Sequence, residues 1–257
     1  MRLPRLGRAL AVVLVMAASA ALAALINGPW LRVAQVDLQG ARYTSLRVLE
    51  RIVEPVRGAS LLALDGASLL ASLRSLPSVA DARVRVILPH RVEVELMEKS
   101  AAFVWQTSAV RLIGASDGTI IGQLARSAAL PGELQGLPLV DDQRRASRTI
   151  IVGDVIDPEI LASARRLWQV DPITLGSTAT RVDLAIDDDH GFVLVSRSPA
   201  WRAAVGFYGL DPIDAPAEVD ARIEAQLAAV RTLFAGQPES GISWIDARNP
   251  GRVYWLP

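Results

Sequence analysis

The stretch Val79-Ala80-Asp81-Ala82-Arg83-Val84-Arg85-Val86-Ile87-Leu88-Pro89-His90-Arg91-Val92-Glu93-Val94-Glu95-Leu96 decides the first half of the fold. Val84, Val86 and Leu88 alternate with Arg83 and Arg85, and Val92, Val94 and Leu96 alternate with Glu93 and Glu95. Period two marks strands with one buried face. The apolar positions are even-numbered in both strands, so an antiparallel pairing that matches faces needs a connection with an odd residue count. A three-residue loop around Pro89 satisfies this. It also sets the arginines against the glutamates on the wet face, which contributes roughly a few tenths of a kcal/mol per pair. The plain reading of these charges is a solvated sheet face; a basic ligand groove is the alternative.

Working back from the hairpin, Val33, Val36 and Leu38 form an extended apolar run closed by Gly40. Thr44 is placed to cap a helix carrying Leu46, Leu49, Ile52 and Val53, ended by Pro55 and Gly58. Asp65 caps a second helix with Leu69, Leu70, Leu73 and Leu76 on one face, stopped by Pro77. The order over residues 33–99 is therefore strand, helix, helix, strand, strand.

Working forward, residues 100–257 read as a second domain, a mixed β-sheet with two longer helices. Phe103 to Gln106 and Val110 to Ile113 are short strands, and Asp117-Gly118 turns the chain into Thr119-Ile120-Ile121. Asp142 to Arg148 reads as a polar surface loop. Asp157-Pro158-Glu159 is a helix start, with Asp as cap, Pro in the first turn and Glu favoured at the positive end of the dipole. Ile160, Leu161, Ala164, Leu167 and Trp168 supply its buried face. Strands follow at Val182 to Ile186, Phe192 to Val195 and Ala203 to Phe207, then a helix from Pro216 to Phe234. The chain closes with strands at Ile242 to Asp246 and Gly251 to Leu256, joined by the turn Arg248-Asn249-Pro250-Gly251.

Ahead of both domains lies an uncharged run of 18 residues, Ala9 to Ile26, preceded by Arg2, Arg5 and Arg8. As a helix it spans roughly 27 Å, against a hydrocarbon core of about 30 Å. Positive charge on the amino side keeps that end cytoplasmic and sends the chain beyond Ile26 outward. The expected layout is a cytoplasmic tail at 1–8, a membrane helix at 9–26, a linker at 27–32 with Trp30 at the interface, then the two domains. Eight of the 18 residues are alanine, and Ala18-Ser19-Ala20 and Ala21-Leu22-Ala23 resemble signal-cleavage sites. Cleavage of the segment stays open; either outcome puts the body outside the cytoplasm.

Composition excludes several classes. Basic and acidic residues balance at 27 each, against the basic excess of a nucleic-acid binder. Cysteine is absent, so disulfides, thiol nucleophiles and thiolate metal sites are excluded, and only two histidines are present. Asp187-Asp188-Asp189-His190 could suggest a metal site, but consecutive residues at a strand end diverge, and a polar hairpin loop closed by Gly191 accounts for them. No phosphate-binding loop, serine elbow or metalloprotease helix occurs. The expectation is a non-enzyme, with no cofactor, metal or small-molecule substrate.

The strand-helix-helix-strand-strand order resembles a POTRA domain. Val79, Ala82, Val84, Pro89, Val92, Val94, Leu96 and Glu98, followed by Lys99, resemble the hairpin of the FtsQ/DivIB family of bacterial cell-division proteins. Ala101 stands where that family has proline. Leu112-Ile113 through Ile120, Leu137-Pro138-Leu139-Val140, and Ile245-Asp246-Ala247-Arg248 resemble later landmarks in the same order. Arg222 stands where relatives carry lysine, and Leu210 to Pro216 is longer than expected. The resemblance implies a single-pass inner-membrane protein of the division septum. It further implies a scaffold that binds division proteins of the FtsB/DivIC and FtsL type and helps regulate septal peptidoglycan synthesis. The family's C-terminal strand region implies partner binding by strand addition at Val253, Tyr254 and Trp255, with Ser243 and Trp244 beside them. A POTRA-containing secretion or outer-membrane assembly factor is the other reading, and an exported hydrolase a third.

Overall fold

In the computed structural model, residues 4–27, 31–208, 216–249 and 251–257 are described, with side chains placed from 11 to 24 in the first segment and from 218 in the third. The chain divides at Lys99/Ser100 into two units.

The first unit begins with α1 (Pro4–Asn27), a continuous helix of 24 residues. Side chains 11–24 are exposed all round it. Among the described residues no helix is long and apolar enough to cross a membrane. Linker residues 28–30, Trp30 among them, lie outside the described residues.

After α1 come β1 (Gln35–Gln39), α2 (Leu46–Val53), α3 (Gly66–Arg74), β2 (Val79–Ile87) and β3 (Arg91–Glu98). The sheet order is β1-β3-β2, with β1 parallel to β3. The hairpin follows its alternation: Val84 pairs with Val94, Arg83 with Glu95 and Arg85 with Glu93 across a three-residue connection. Leu49, Val53, Leu69 and Leu73 from the helices close over Val92, Val94 and Leu96. The alternation overreaches at the tip, where Val86 and Leu88 are exposed although they share the apolar phase. They project past the helices that cover the rest of that face.

Two details differ from the sequence reading. Asp65 caps α3 through Ser68 N (3.0 Å), but Thr44 does not cap α2; Ser45 holds that position without a side-chain bond. The Thr44 hydroxyl is taken by Glu98, whose carboxylate also accepts the backbone N–H groups of Arg42 (2.8 Å), Tyr43 (2.7 Å) and Thr44 (2.9 Å). One carboxylate at the end of β3 thus gathers the loop that enters α2, satisfying three successive backbone donors of that loop. Leu46 is exposed, because this arrangement turns the first residue of α2 away from the core.

The second unit holds one nine-stranded mixed sheet. Its strands are β4 (Ala101–Gln106), β5 (Val110–Ala115), β6 (Ile120–Ala125), β7 (Leu139–Asp142), β8 (Val182–Asp187), β9 (Gly191–Arg197), β10 (Ala200–Gly206), β11 (Trp244–Asp246) and β12 (Tyr254–Leu256). Their order is β12-β11-β10-β9-β8-β7-β4-β5-β6. Helices α4 (Pro158–Trp168) and α5 (Pro216–Gly236) contribute Leu161, Ala164, Leu167, Ile223 and Val230 to its core. Asp157 caps α4 through Glu159 N (2.8 Å). The stretch Leu210 to Pro216 falls largely outside the described residues.

The 142–148 stretch is more than a surface loop. Asp142 is fully buried, accepting Trp105 Nε1 (3.0 Å) and a two-pronged contact from Arg144 (2.9 and 2.6 Å). Burying that carboxylate is tolerable only because it is paired and hydrogen-bonded. It ends β7, a central strand that the polar pair Asp141-Asp142 conceals in the sequence.

Candidate partner-binding edge

One row of side chains crosses the second sheet. By register, Leu112 faces Trp105, which faces Val140, then Leu184, Leu194, Ala203, Ile245 and Trp255. Directly opposed residues share a face, so these eight form one continuous stripe on the core side. The first seven are at most 2% exposed; Trp255, at the end, is 40% exposed. Among the described residues no strand lies beyond β12. The stripe runs apolar to its end and stops with a half-covered indole on the edge strand of the described sheet.

The five residues expected to bind a partner are brought together here. Val253 is partly buried against the core; Tyr254 and Trp255 are exposed on β12. Tyr254 is paired with Asp246 and Leu256 with Trp244, so Tyr254, Leu256 and Trp244 lie on the outer face while Trp255 lies on the core face. Ser243 is exposed beside the ladder, donating its N–H to Leu256 O (2.9 Å) and its hydroxyl to Pro257 O (2.7 Å).

The edge is braced from behind by residues to which the sequence reading gave no part in it. Trp244 is flanked by the His190 ring, 4.6 Å between centroids, and by the Arg202 guanidinium, 5.5 Å from its ring. The Asp246 carboxylate accepts Nε (2.9 Å) and Nη2 (2.7 Å) of Arg248 and its backbone N–H (3.1 Å). Those Arg248 hydrogen bonds hold the Asp246 carboxyl below its ordinary value against the opposing effect of burial. Arg248 also donates to Asp189 O (3.1 Å), tying β11 to the β8–β9 turn. From α5, Gln226 Nε2 reaches Arg248 O (3.2 Å) while its carbonyl accepts the Tyr208 hydroxyl. Arg222 lies over the Tyr208 ring at 5.5 Å.

Just ahead of β11, Glu239 gathers Trp201 Nε1 (2.5 Å), Thr178 N (2.9 Å), Thr178 Oγ1 (2.8 Å) and the Ser177 hydroxyl. Burial raises its carboxyl, but these donors outweigh it and the net value is lowered. The aspartate run of 187–189 is spent on structure. Asp187 accepts the N–H groups of Asp189 (3.0 Å) and His190 (2.6 Å), and Asp188 accepts Arg145 N (3.2 Å). No signal in the linear sequence joins His190, Arg202 and Trp244, because the parallel pairing of β10 with β11 brings them together across a long connection.

Such an edge can hold an extended peptide: main-chain groups on β12, a half-covered Trp255 on one face and Tyr254 with Leu256 on the other. Residues 31–99 match the family model for the FtsQ-type POTRA domain. The chain is 31% identical over 147 residues to the cell division protein FtsQ of Chloroflexus aurantiacus, an alignment covering 56% of this chain and 50% of that protein. It is 29% identical over 148 residues to the cell division protein FtsQ of Chloroflexus aggregans, covering 56% and 50%. The chain thus spans about half the length of these curated relatives. Residues 31–99 are thus an FtsQ-type POTRA domain, and over about half of its length the chain is similar to FtsQ cell-division proteins.

Proposed function

We propose that this chain is a non-catalytic scaffold of the division apparatus, held in the inner membrane at the septum, with its bulk outside the cytoplasm. It binds division proteins of the FtsB/DivIC and FtsL type by strand addition at β12, and so helps recruit and regulate septal peptidoglycan synthesis. The observation carrying this is the apolar stripe that ends, half covered, at Trp255 on the edge strand of the described sheet. A partner strand would continue the row with an apolar side chain of its own and satisfy the open main-chain groups.

The anchor is proposed at residues 9–26. A helix exposed on all sides with Val12, Val13, Leu14, Val15 and Met16 outermost is stable only in an apolar medium or a packed bundle. The POTRA domain is proposed to contact further division proteins.

The test is capture of the partners from membranes. Val253→Pro removes an N–H and fixes φ at the entry to β12, and Trp255→Lys sets a charge at the end of the stripe. Both should abolish capture while circular dichroism shows the fold retained; undiminished capture discards the edge. Even distribution of a fluorescent fusion around the envelope in dividing cells would overturn the septal role.

A further inference from the structure

The POTRA hairpin tip is the most apolar exposed surface described in residues 31–99. Val86 is 46% exposed, Ile87 38% and Leu88 66%, and Leu62 is 58% exposed. Only Leu46, among the exposed large apolar side chains described there, lies elsewhere. Its place is the far end of the domain, where Glu98 at the end of β3 gathers residues 42–44 just ahead of α2.

The other four lie where the chain arrives from α1. The backbone of Ala34 donates to His90 O (2.8 Å), and β1 starts opposite Arg91, so the tip at 88–90 flanks the entry segment. On the other side of that segment, Val33 N donates to Ala59 O (2.9 Å) and Leu61 N to Leu31 O (2.7 Å). This pairing runs antiparallel and carries Leu62 back toward α1. Asn27, the last residue of α1, is separated from Leu31 by three residues, a reach of at most about 14 Å. The headgroup region is itself about 5–8 Å deep on each side. The apolar end of the domain is therefore tethered within reach of the surface through which α1 would emerge.

We propose that Leu62, Val86, Ile87 and Leu88 dip into the outer interface of the membrane that holds α1, giving the POTRA domain a second membrane contact and a fixed orientation. The occupant is the bilayer, for two reasons. The tether holds this end at the surface, and three of the arginines around it are ion-paired: Arg91 with Asp37 (3.5 Å), Arg85 with Glu95 (3.9 Å) and Arg57 with Glu54 (3.5 Å). With much of its charge paired locally, the end offers apolar area more than a field for an acidic protein. The inference rests on the anchor reading above.

The sequence has no cysteine, so single probes can be placed without background. The full chain, carrying a polarity-sensitive dye at Leu88→Cys, Leu62→Cys or Leu46→Cys, is reconstituted into phosphatidylcholine vesicles with and without phosphatidylglycerol. Nitroxides at shallow acyl positions should quench the dye at Leu88 and Leu62 about twofold more than at Leu46, with a blue shift, in both lipids. Adding Leu88→Asp should lower the quenching at Leu62. Protein that floats with the vesicles after alkaline washing, but shows equal quenching at Leu88 and Leu46, overturns this contact alone. A dye at Leu88 shielded from aqueous iodide yet untouched by the lipid nitroxides means a second copy covers the tip, and also overturns it. Protein that fails to float overturns the anchor together with the contact.

Discussion

The two edges of the nine-stranded sheet are finished differently. At β6 the same cross-strand row that runs to Trp255 ends in Gln123, an exposed amide paired with Leu112. A further segment lies against β6: Ile120 N donates to Asp154 O (2.8 Å), Gly153 N to Ile120 O (2.9 Å), and Thr119 bridges Val155. At β12 the row ends in a half-exposed tryptophan, and among the described residues no strand pairs with the side of β12 that faces away from β11. Edges are normally blunted by polar groups or covering segments, because an open apolar one recruits other chains. One edge here follows that rule at its start and the other departs from it, and that contrast is what supports the proposed partner edge at β12.

Matched deletions near the two ends of the row break the contrast most strongly. Ile245→Ala, next to the open edge, and Leu112→Ala, next to the covered one, remove side chains that are fully buried. Each should lower unfolding free energy by about 2–4 kcal/mol in chemical denaturation. Only Ile245→Ala should also weaken partner capture at equal folded concentration. Equal capture by both would mean the open end has no special role. Trp255→Lys comes next. It should weaken partner binding by about 2–3 kcal/mol, roughly thirty- to more than a hundredfold by titration, with stability changed by less than about 1 kcal/mol.

The contrast also separates what the sequence announces from what it hides. The POTRA half is legible because Val84, Val86, Val92 and Val94 repeat with period two and Pro77, Pro89 and Asp65 punctuate the elements. The tip is misjudged for a physical reason: periodicity reports which way a side chain points and cannot report whether another element covers it. In the second domain most strands are visible one by one, but their order is not. β7 joins β4 and β8 in parallel, and β10 joins β11 in parallel, all through long connections that leave no local mark. Asp142 looks like loop because its charge argues for water; Trp105 and Arg144, which make its burial tolerable, are brought to it by the fold. The C-terminal edge residues came from resemblance, and the row that gives them a physical reason depends on register across eight strands.

Acid sharpens the comparison by loosening one edge first. Glu239 and Asp246, both ahead of or within β11, have carboxyls lowered in the folded state. A lowered folded value means stability present above the unfolded value, near 4.5 for Glu239, and lost as pH falls through the folded value. Between about pH 5 and pH 3, hydrogen exchange should rise in β11 and β12 before it rises in β5 and β6. Glu239→Gln should cost about 1–2 kcal/mol at neutral pH, measured by denaturation, and flatten the acid dependence. An acid profile identical to that of the parent chain would mean the four donors around Glu239 hold its two protonation states equally.

The smallest expected effect tests the contrast from its quiet side. Gln123→Lys places on the covered edge the same charge that Trp255→Lys places on the open one. Gln123 is exposed, so the change should alter stability by no more than about 0.5 kcal/mol. Partner capture should be unchanged, since the row already ends there in a polar side chain and 151–156 covers the start of β6. Loss of capture from Gln123→Lys, with the fold intact, would place the partner on the covered edge and remove the open one from its role. Unchanged capture beside its loss in Trp255→Lys shows that lysine as such is harmless to a sheet edge, and that the missing element is the apolar end of the row.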